Sequence, residues 1–233
     1  MEEHYDLLVI GAGHAGVEAA FVGARLGLQV CLVTLAVEAV ARMSCNPAIG
    51  GMAKGHLVRE IDAMGGLMGL IADATGIQFK VLNTSKGAAV HGQRCQSDKH
   101  AYARVAQAMV ESRPEIDVIE GTVEQILIEG DEPKRAIGFR VATSEGEFDL
   151  RAPAVVLTTG TFMRGLMHTG EQQTPGGRRG EEAAYGISGS LSELGFELGR
   201  LRTGTPPRLR VSTIETDTLD LEFGDEDPFA FSE

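Results

Sequence analysis

Three glycines near the N-terminus have the spacing of a site that binds a diphosphate. They lie between an apolar run, residues 7–10, and an alanine-rich stretch that reaches residue 26, and a second apolar run follows at residues 30–33. This order predicts a strand, a tight turn, a helix and a parallel strand. Free N–H groups at the helix start attract the anion. The predicted binding loop consists of Gly11, Ala12, Gly13, His14, Ala15 and Gly16.

Each glycine in this loop has a separate task. Gly11 permits the tight turn, and Gly13 lets the backbone approach the diphosphate because it has no Cβ. Gly16 lets the helix lie against the first strand. His14, between them at the helix start, is predicted to be a structural or hydrogen-bonding group and not a catalytic base.

A cysteine in a polar loop is the candidate nucleophile. Cys45 lies in the sequence Ser-Cys-Asn-Pro, which is typical of a turn, and a thiol in such a place can have a lowered pKa. Cys31 falls inside the second predicted strand, which indicates a small buried side chain. Cys95 follows Arg94, so the sequence leaves open whether it is reactive or buried. The spacing fits neither a zinc site nor a disulfide scaffold, so we predict no metal and a reducing cytoplasm.

The charge of the chain is strongly negative but unevenly distributed. The 233 residues have a formal net charge of −12, which argues against a uniformly basic nucleic-acid surface. Arginines and lysines concentrate in residues 54–104 and 176–210, whereas residues 215–233 are acidic. A local basic face that meets phosphates therefore stays possible. No apolar run approaches the roughly 20 residues of a membrane helix, so we expect no membrane partner.

The remaining patterns predict an α/β fold. Helices are expected at residues 54–64 and 98–113, the second with Asp98 as its N-terminal cap. Between residues 117 and 159 the apolar period changes to two, which predicts successive strands separated by turns. We expect a Rossmann-like domain, with a parallel sheet and an antiparallel β-meander, over residues 1–165. Within it, residues 42–100 form an inserted segment facing the substrate, and residues 166–233 begin a second, incomplete domain. The tail 211–233 shows no clear apolar face.

Two strand ends are candidates for cofactor contacts. Thr159 and Gly160 close the last apolar strand at its carboxyl end, where ligands of parallel sheets bind. An acidic residue that would bind a ribose is expected after the second strand, where Thr34 stands and Glu38 follows four positions later. The sequence leaves open which of these two, if either, holds the ribose. A loop at residues 178–181 faces either the ligand or solvent.

Several longer motifs resemble one family, the glucose-inhibited division protein A (MnmG) family. They cover most of the chain in order: residues 44–51, 54–60, 62–66, 83–90, 96–99, 158–162 and 199–208. Ala88, where the family favours proline, and residues 91–95 depart from the pattern. The order of helix, meander and final strand is also similar to that of flavoproteins with two dinucleotide-binding domains.

The resemblance implies an FAD enzyme that acts on the wobble uridine of certain tRNAs. With the GTPase MnmE, such enzymes install a carboxymethylaminomethyl group at C5, with methylenetetrahydrofolate as carbon donor and NADH as reductant of the flavin. It implies that the Cys45 thiolate adds to C6 of the uracil, that backbone groups at Val123 hold the adenine of FAD, and that Thr159 and Gly160 contact FAD. Family members are homodimeric and far longer than this chain.

Other functions stay open. A folate- and FAD-dependent tRNA uracil methyltransferase ranks lower, because that relative carries a glutamate soon after the second strand and lacks the run at residues 45–51. A non-catalytic flavin-binding fragment and a small-molecule NAD(P)H:flavin reductase are the remaining alternatives. A yellow purified protein indicates bound flavin, and tRNA modification separates the first reading from the others.

Overall fold

A four-stranded parallel sheet forms the centre of the molecule. The computed structural model describes residues 4–44, 46–204, 207 and 209–232. The sheet has the order β10-β1-β2-β6, with strands Leu7–Ile10 (β1), Val30–Thr34 (β2), Ile116–Glu120 (β6) and Ala154–Leu157 (β10). β1 and β2 are buried along their whole length, which is usual for parallel strands covered on both faces. The predicted α/β class with a parallel sheet is confirmed.

Alternate side chains of the sheet enter two separate cores. Helix α1, His14–Arg25, crosses from β1 to β2 and lies on one face of the sheet. On that face Val9 and Leu32 pack in a core with Ala20 and Tyr102. On the other face, side chains of the same strands pack against the meander in a second core that contains Leu8, Val33, Phe139, Val141 and Ile187.

The predicted antiparallel meander is present. It consists of Thr122–Glu129 (β7), Arg135–Thr143 (β8) and Gly146–Arg151 (β9), in that order. The turns between them fall where the sequence places glycine-containing turns. Two later elements follow: a hairpin of Leu166–Thr169 (β11) with Gln172–Pro175 (β12), and helix α5, Gly186–Glu193, which packs against β7.

The inserted segment contains more regular structure than the sequence indicates. The helix predicted at residues 54–64 is Lys54–Ala63 (α2), and the helix predicted at 98–113 is Lys99–Glu111 (α4). A further helix, Met68–Thr75 (α3), lies between them. A three-stranded antiparallel sheet of the order β3-β5-β4 was also not predicted; its strands are Ala48–Gly50 (β3), Gly76–Leu82 (β4) and Gly92–Ser97 (β5). β5 is too polar for its sequence to signal a strand.

The side chain of Asp98 caps α4 as predicted. Its Oδ1 atom accepts hydrogen bonds from the backbone N–H groups of Ala101 at 3.0 Å and His100 at 2.9 Å. These two hydrogen bonds favour the carboxylate and hold the pKa of Asp98 below its ordinary value. The stabilisation is therefore present above the unfolded-state pKa and is lost as the pH falls through the folded-state pKa.

Replacing Asp98 by alanine is expected to lower the melting temperature at pH 7 and to have a progressively smaller effect as the pH falls below about 4. Asp98→Asn keeps the acceptor oxygen without a titrating group, so it should stay close to wild type at pH 7. Thermal unfolding followed by circular dichroism at several pH values measures both variants. An alanine variant whose deficit is equal at pH 7 and pH 3 would contradict the assignment.

The C-terminal tail packs on the inserted segment, contrary to the expectation from its sequence. Phe231 is 1% exposed and belongs to the first core, and its ring lies against Gly50. The Asp73 carboxylate accepts hydrogen bonds from the backbone N–H groups of Phe231 at 2.9 Å and Ser232 at 2.8 Å. Arg59 donates to the Ala230 carbonyl at 2.8 Å. The tail contains three phenylalanines, of which Phe223 and Phe229 are exposed and only Phe231 is buried. They form no periodic apolar pattern, which is why the sequence did not reveal this anchor.

Phe231→Ala is expected to destabilise the protein by about 3 kcal/mol, because it removes a fully buried aromatic ring. Phe229 is 73% exposed, so Phe229→Ala is a matched control that should change the stability by no more than about 0.5 kcal/mol. Urea unfolding of both variants gives the comparison. Equal stabilities would show that the tail does not contribute to the core.

Within the described part of the chain, none of the helices has the length and apolar character needed to cross a membrane.

Candidate functional site

The glycine-rich turn that follows β1 is held by contacts with β2 and with Thr158 after β10. Gly11 has a φ of +93°, and a Cβ there would lie 3.0 Å from the Thr158 carbonyl carbon. The Thr158 hydroxyl lies 2.8 Å from the carbonyl oxygens of both Ile10 and Gly11, which share its single proton. The Gly11 N–H donates to the Val33 carbonyl at 2.8 Å. The turn is therefore fixed by both neighbouring strands, and its conformation requires glycine at position 11.

Gly16 and Gly13 face different surroundings. A Cβ on Gly16 would overlap the Gly11 carbonyl oxygen and lie 2.7 Å from the Thr158 hydroxyl, so Gly16 allows α1 to lie on the turn, as predicted. Among the described residues, a Cβ on Gly13 would meet no atom within 4 Å apart from those of its two chain neighbours. Gly13 is the N-cap of α1, where no side chain caps the helix. The first turn of α1 thus presents backbone N–H groups to an open space beside Gly13, the arrangement that binds an anion.

The other predicted loop residues surround this helix start. Ala12 is buried, and its carbonyl accepts from the Ala41 N–H at 2.8 Å, which ties the segment after β2 to the loop. Ala15 is exposed. The His14 ring meets the Tyr102 ring edge to face at 5.4 Å between centroids. Burial lowers the pKa of His14 below its ordinary value, so its imidazole is neutral at pH 7.

The ends of the parallel strands gather at the same edge of the sheet. Gly121 donates to the Thr34 carbonyl at 2.8 Å, which brings the start of β7, and with it Val123, to the end of β2. Val123 is 4% exposed, so its side chain belongs to the core. Thr159 and Gly160 follow β10 beside the glycine turn, and Gly160 has a φ of +58°. Predicted cofactor residues that are far apart in the sequence therefore lie at one edge.

The two candidates for the ribose contact differ in accessibility. Thr34 is 7% exposed, and its hydroxyl donates to the Ala36 carbonyl at 3.2 Å. Glu38 is exposed. A further acidic residue, Glu120, lies beside Thr34, because β2 and β6 are paired in the sheet. The sequence does not reveal this neighbour, since the two residues are far apart along the chain. Its carboxylate accepts from the Val37 N–H at 3.0 Å.

The three cysteines fall into two groups. Cys45, the predicted nucleophile, lies outside the described residues. Cys31 is fully buried, as predicted. Cys95 is also fully buried, and burial raises the pKa of its thiol, which favours the buried alternative over the reactive one. Among the residues that the structure describes, no cluster of His, Cys, Asp or Glu could hold a metal ion.

A charged network contacts Ser44, the residue that precedes Cys45 in the sequence. Ser44 accepts a hydrogen bond from Arg178 Nη2 at 2.8 Å. Glu181 accepts from Arg178 Nη1 at 3.1 Å and from Arg42 Nη1 at 3.0 Å. The loop at residues 178–181 therefore faces the segment after β2. Sequence reasoning could not decide this, because 134 positions separate Ser44 from Arg178.

Comparisons with known proteins identify one group of relatives. Residues 6–233 match the family described as Glucose inhibited division protein A. The chain is 50% identical over 235 residues to the tRNA uridine 5-carboxymethylaminomethyl modification enzyme MnmG of Rhodopirellula baltica, which covers 98% of this chain and 36% of that protein. It is 51% identical over 228 residues to the MnmG of Syntrophotalea carbinolica, with the same two shares. The chain thus spans about 36% of the length of these curated relatives.

Solved structures agree with these relatives. The structure of GidA from Aquifex aeolicus superimposes with a TM-score of 0.91 and 42% identity, over 99% of this chain and 37% of that one. A GidA-related protein from Thermus thermophilus superimposes with a TM-score of 0.58 and 24% identity, over 83% of this chain and 69% of that one. The second likeness concerns the fold alone.

Proposed function

Because this chain belongs to the glucose inhibited division protein A family, we propose that it binds FAD and carries part of the active site of a tRNA uridine modification enzyme. The observation that supports this most directly is the open space at Gly13. A diphosphate fits where a Cβ would otherwise stand, next to the unpaired N–H groups of α1. Relatives that are about half identical are named as enzymes of tRNA uridine modification.

We propose that the cofactor lies along the carboxyl edge of the parallel sheet. Gly11, Gly13 and Gly16 with their neighbours hold the diphosphate, backbone groups at Val123 hold the adenine, and Thr159 and Gly160 contact the remainder of FAD. Glu38 is the ribose contact that we favour, because its carboxylate is exposed whereas the Thr34 hydroxyl donates to Ala36. When bound, FAD supplies redox chemistry that these side chains do not have.

We propose that Cys45, in the substrate-facing segment, is the nucleophile. The Cys45 thiolate donates an electron pair to C6 of the uracil, forming an S–C6 bond, while the C5–C6 π electrons move towards the C4 carbonyl oxygen. C5 then becomes nucleophilic and can take a new substituent. We propose that His14, whose ring contacts Tyr102 at the start of α1, is a structural or hydrogen-bonding group there.

We also propose which group is added to the uridine, which co-substrates are used and which protein is the partner. The group installed at C5 of the wobble uridine is carboxymethylaminomethyl or aminomethyl. Methylenetetrahydrofolate supplies the methylene carbon, an amine (glycine or ammonium, respectively) supplies the rest of the group, NADH is the reductant and the GTPase MnmE is the partner. We propose a homodimer that works in the cytoplasm, where tRNA is used. The domain division at residue 165 remains a prediction.

Mass spectrometry of tRNA nucleosides tests this function. Unmodified tRNA is incubated with MnmE and GTP, methylenetetrahydrofolate, an amine donor (glycine or ammonium), NADH and FAD. Either this chain or, as the positive control, the full-length Rhodopirellula baltica relative is added. A new modified uridine with the relative, and flavin binding by this chain, support the proposal. A chain that binds flavin but gives no modification alone supports the alternative of a non-catalytic flavin-binding module. A 5-methyluridine product would favour the methyltransferase.

A further inference from the structure

Residues 176–181, which we call the strap, are attached at one end to the segment that follows β10. The Gly176 N–H donates to the Gly165 carbonyl at 2.9 Å. The Arg178 guanidinium carbon lies 5.8 Å from the centre of the Phe162 ring, within the range of a cation–π contact. The strap therefore begins on the β10 side of the sheet.

The other end of the strap is attached to the segment that follows β2. Arg178 Nη2 donates to Ser44 Oγ at 2.8 Å. The Glu181 carboxylate accepts from Arg178 Nη1 at 3.1 Å and from Arg42 Nη1 at 3.0 Å. One carboxylate thus joins an arginine of the strap to an arginine of the β2 side, and the exposed fraction of the Glu181 side chain is 30%.

The strand order places the glycine turn between these two attachments. β1 lies between β10 and β2, and neighbouring strands are about 4.8 Å apart, so the strap bridges strands that are about 10 Å apart. The two attached segments also contact the turn itself. The Ala41 N–H donates to the Ala12 carbonyl at 2.8 Å, and the Thr158 hydroxyl lies 2.8 Å from the Gly11 carbonyl oxygen. The turn, the two segments and the strap therefore form a closed ring of contacts.

Polar contacts, more than burial, hold the strap in place. Of its six residues, Gly176 alone is buried. Gly176 and Gly180 have φ values of +145° and +83°, which glycine adopts readily and which let the chain bend at these positions. Arg178 Nε is buried and has no hydrogen-bond partner among the described residues, so the closed arrangement leaves one donor unpaired. Such a segment opens at a lower free-energy cost than a packed core element.

We propose that the strap closes the rim of the crevice beside Gly13, that Glu181 is its latch, and that opening of the strap limits how fast FAD enters and leaves. This inference rests on the FAD site proposed above. The strap leaves the crevice empty, since a Cβ on Gly13 would meet none of the described atoms within 4 Å apart from its chain neighbours. A latch of this kind acts equally on the free and the loaded protein. Weakening it raises the rates of entry and exit by the same factor and leaves the affinity unchanged.

Glu181→Gln tests the latch, because it removes the charge that two arginines share while keeping the shape of the side chain. Stopped-flow flavin fluorescence on the 233-residue chain should show association and dissociation rate constants that both rise about tenfold, with a Kd within about twofold of wild type. Glu182→Gln is the matched control. It removes the same charge from the exposed neighbouring residue and should keep both wild-type rate constants.

Amide hydrogen exchange tests the closure without flavin. The Glu181 N–H donates to the Arg178 carbonyl at 3.0 Å within the strap. In Glu181→Gln, exchange of this amide should accelerate about tenfold, whereas the amides of α1 should keep their wild-type rates. Arg178→Met breaks the latch from its other partner and should reproduce the faster exchange.

The results separate this inference from the proposed function. FAD that binds both latch variants with wild-type rate constants would overturn the inference and leave the FAD site standing. Faster release with unchanged entry in Glu181→Gln would also overturn it, because the strap would then be a direct ligand of FAD. A wild-type chain that binds no FAD would contradict the proposed function, and amide exchange would then decide by itself whether Glu181 holds the strap closed.

Discussion

Replacing Cys45 by serine is expected to lower the rate of tRNA uridine modification by at least about 10³-fold. A serine hydroxyl is scarcely ionised at neutral pH and is a far weaker nucleophile towards C6 of the uracil than a thiolate. Flavin affinity should be unchanged, because the substitution conserves size and leaves the glycine turn intact. Single-turnover assays with nucleoside mass spectrometry measure the rate in the full-length Rhodopirellula baltica relative that carries the matching substitution.

Cys31→Ala is the control for this experiment. Cys31 is fully buried within β2, so its loss should leave the chemical step as it is. A serine variant of Cys45 that modifies tRNA at the wild-type rate would exclude the nucleophilic role. A variant that also loses flavin would place Cys45 in cofactor binding.

Gly13→Ala is expected to weaken FAD binding, whereas Gly16→Ala is expected to destabilise the fold. The new Cβ at position 13 would enter the open space beside the helix start, so the apo protein should keep its stability to within about 1 kcal/mol. FAD affinity should fall about 30-fold, or about 2 kcal/mol, because the Cβ would occupy the place of the diphosphate. The Cβ at position 16 would instead overlap the protein itself and should destabilise the fold by about 3 kcal/mol or more.

Flavin titration followed by fluorescence and thermal unfolding of the apo proteins separate the two effects. Gly87 is a matched control, because its φ is −65° and a Cβ there would meet none of the described atoms within 4 Å. Gly87→Ala should therefore change neither the flavin affinity nor the stability of the apo protein. Full flavin affinity in Gly13→Ala would show that the diphosphate does not bind at this turn. Full stability in Gly16→Ala would contradict the close packing of α1 on the turn.

Much of the candidate site could be predicted because its determinants are local. Gly11 needs a positive φ, and the apolar runs on either side specify a strand and a helix within about 30 positions. Asp98 caps α4 through N–H groups two and three residues away, which is the spacing that a sequence pattern can show.

Helix α3 was not predicted because the residue that caps it is distant in the sequence. Its N-terminal N–H groups are satisfied by Glu18 of α1, whose carboxylate accepts from Leu67 at 2.9 Å and Met68 at 2.6 Å. No side chain near Leu67 in the sequence caps the helix. Burial raises the pKa of Glu18, while the hydrogen bonds from Leu67 and Met68 oppose that shift. The stabilising partner is 49 positions away and leaves no local signal.

The sequence by itself determined the parallel α/β unit, the glycine turn and the meander, because each depends on contacts between near neighbours and on a regular apolar period. Tertiary structure alone decided that Glu120 lies beside Thr34, that Phe231 enters the first core, and that Arg178 binds Ser44. These contacts join residues from distant parts of the chain. Their energy depends on strand order and on the burial that folding creates, and neither quantity is encoded in any short stretch of residues.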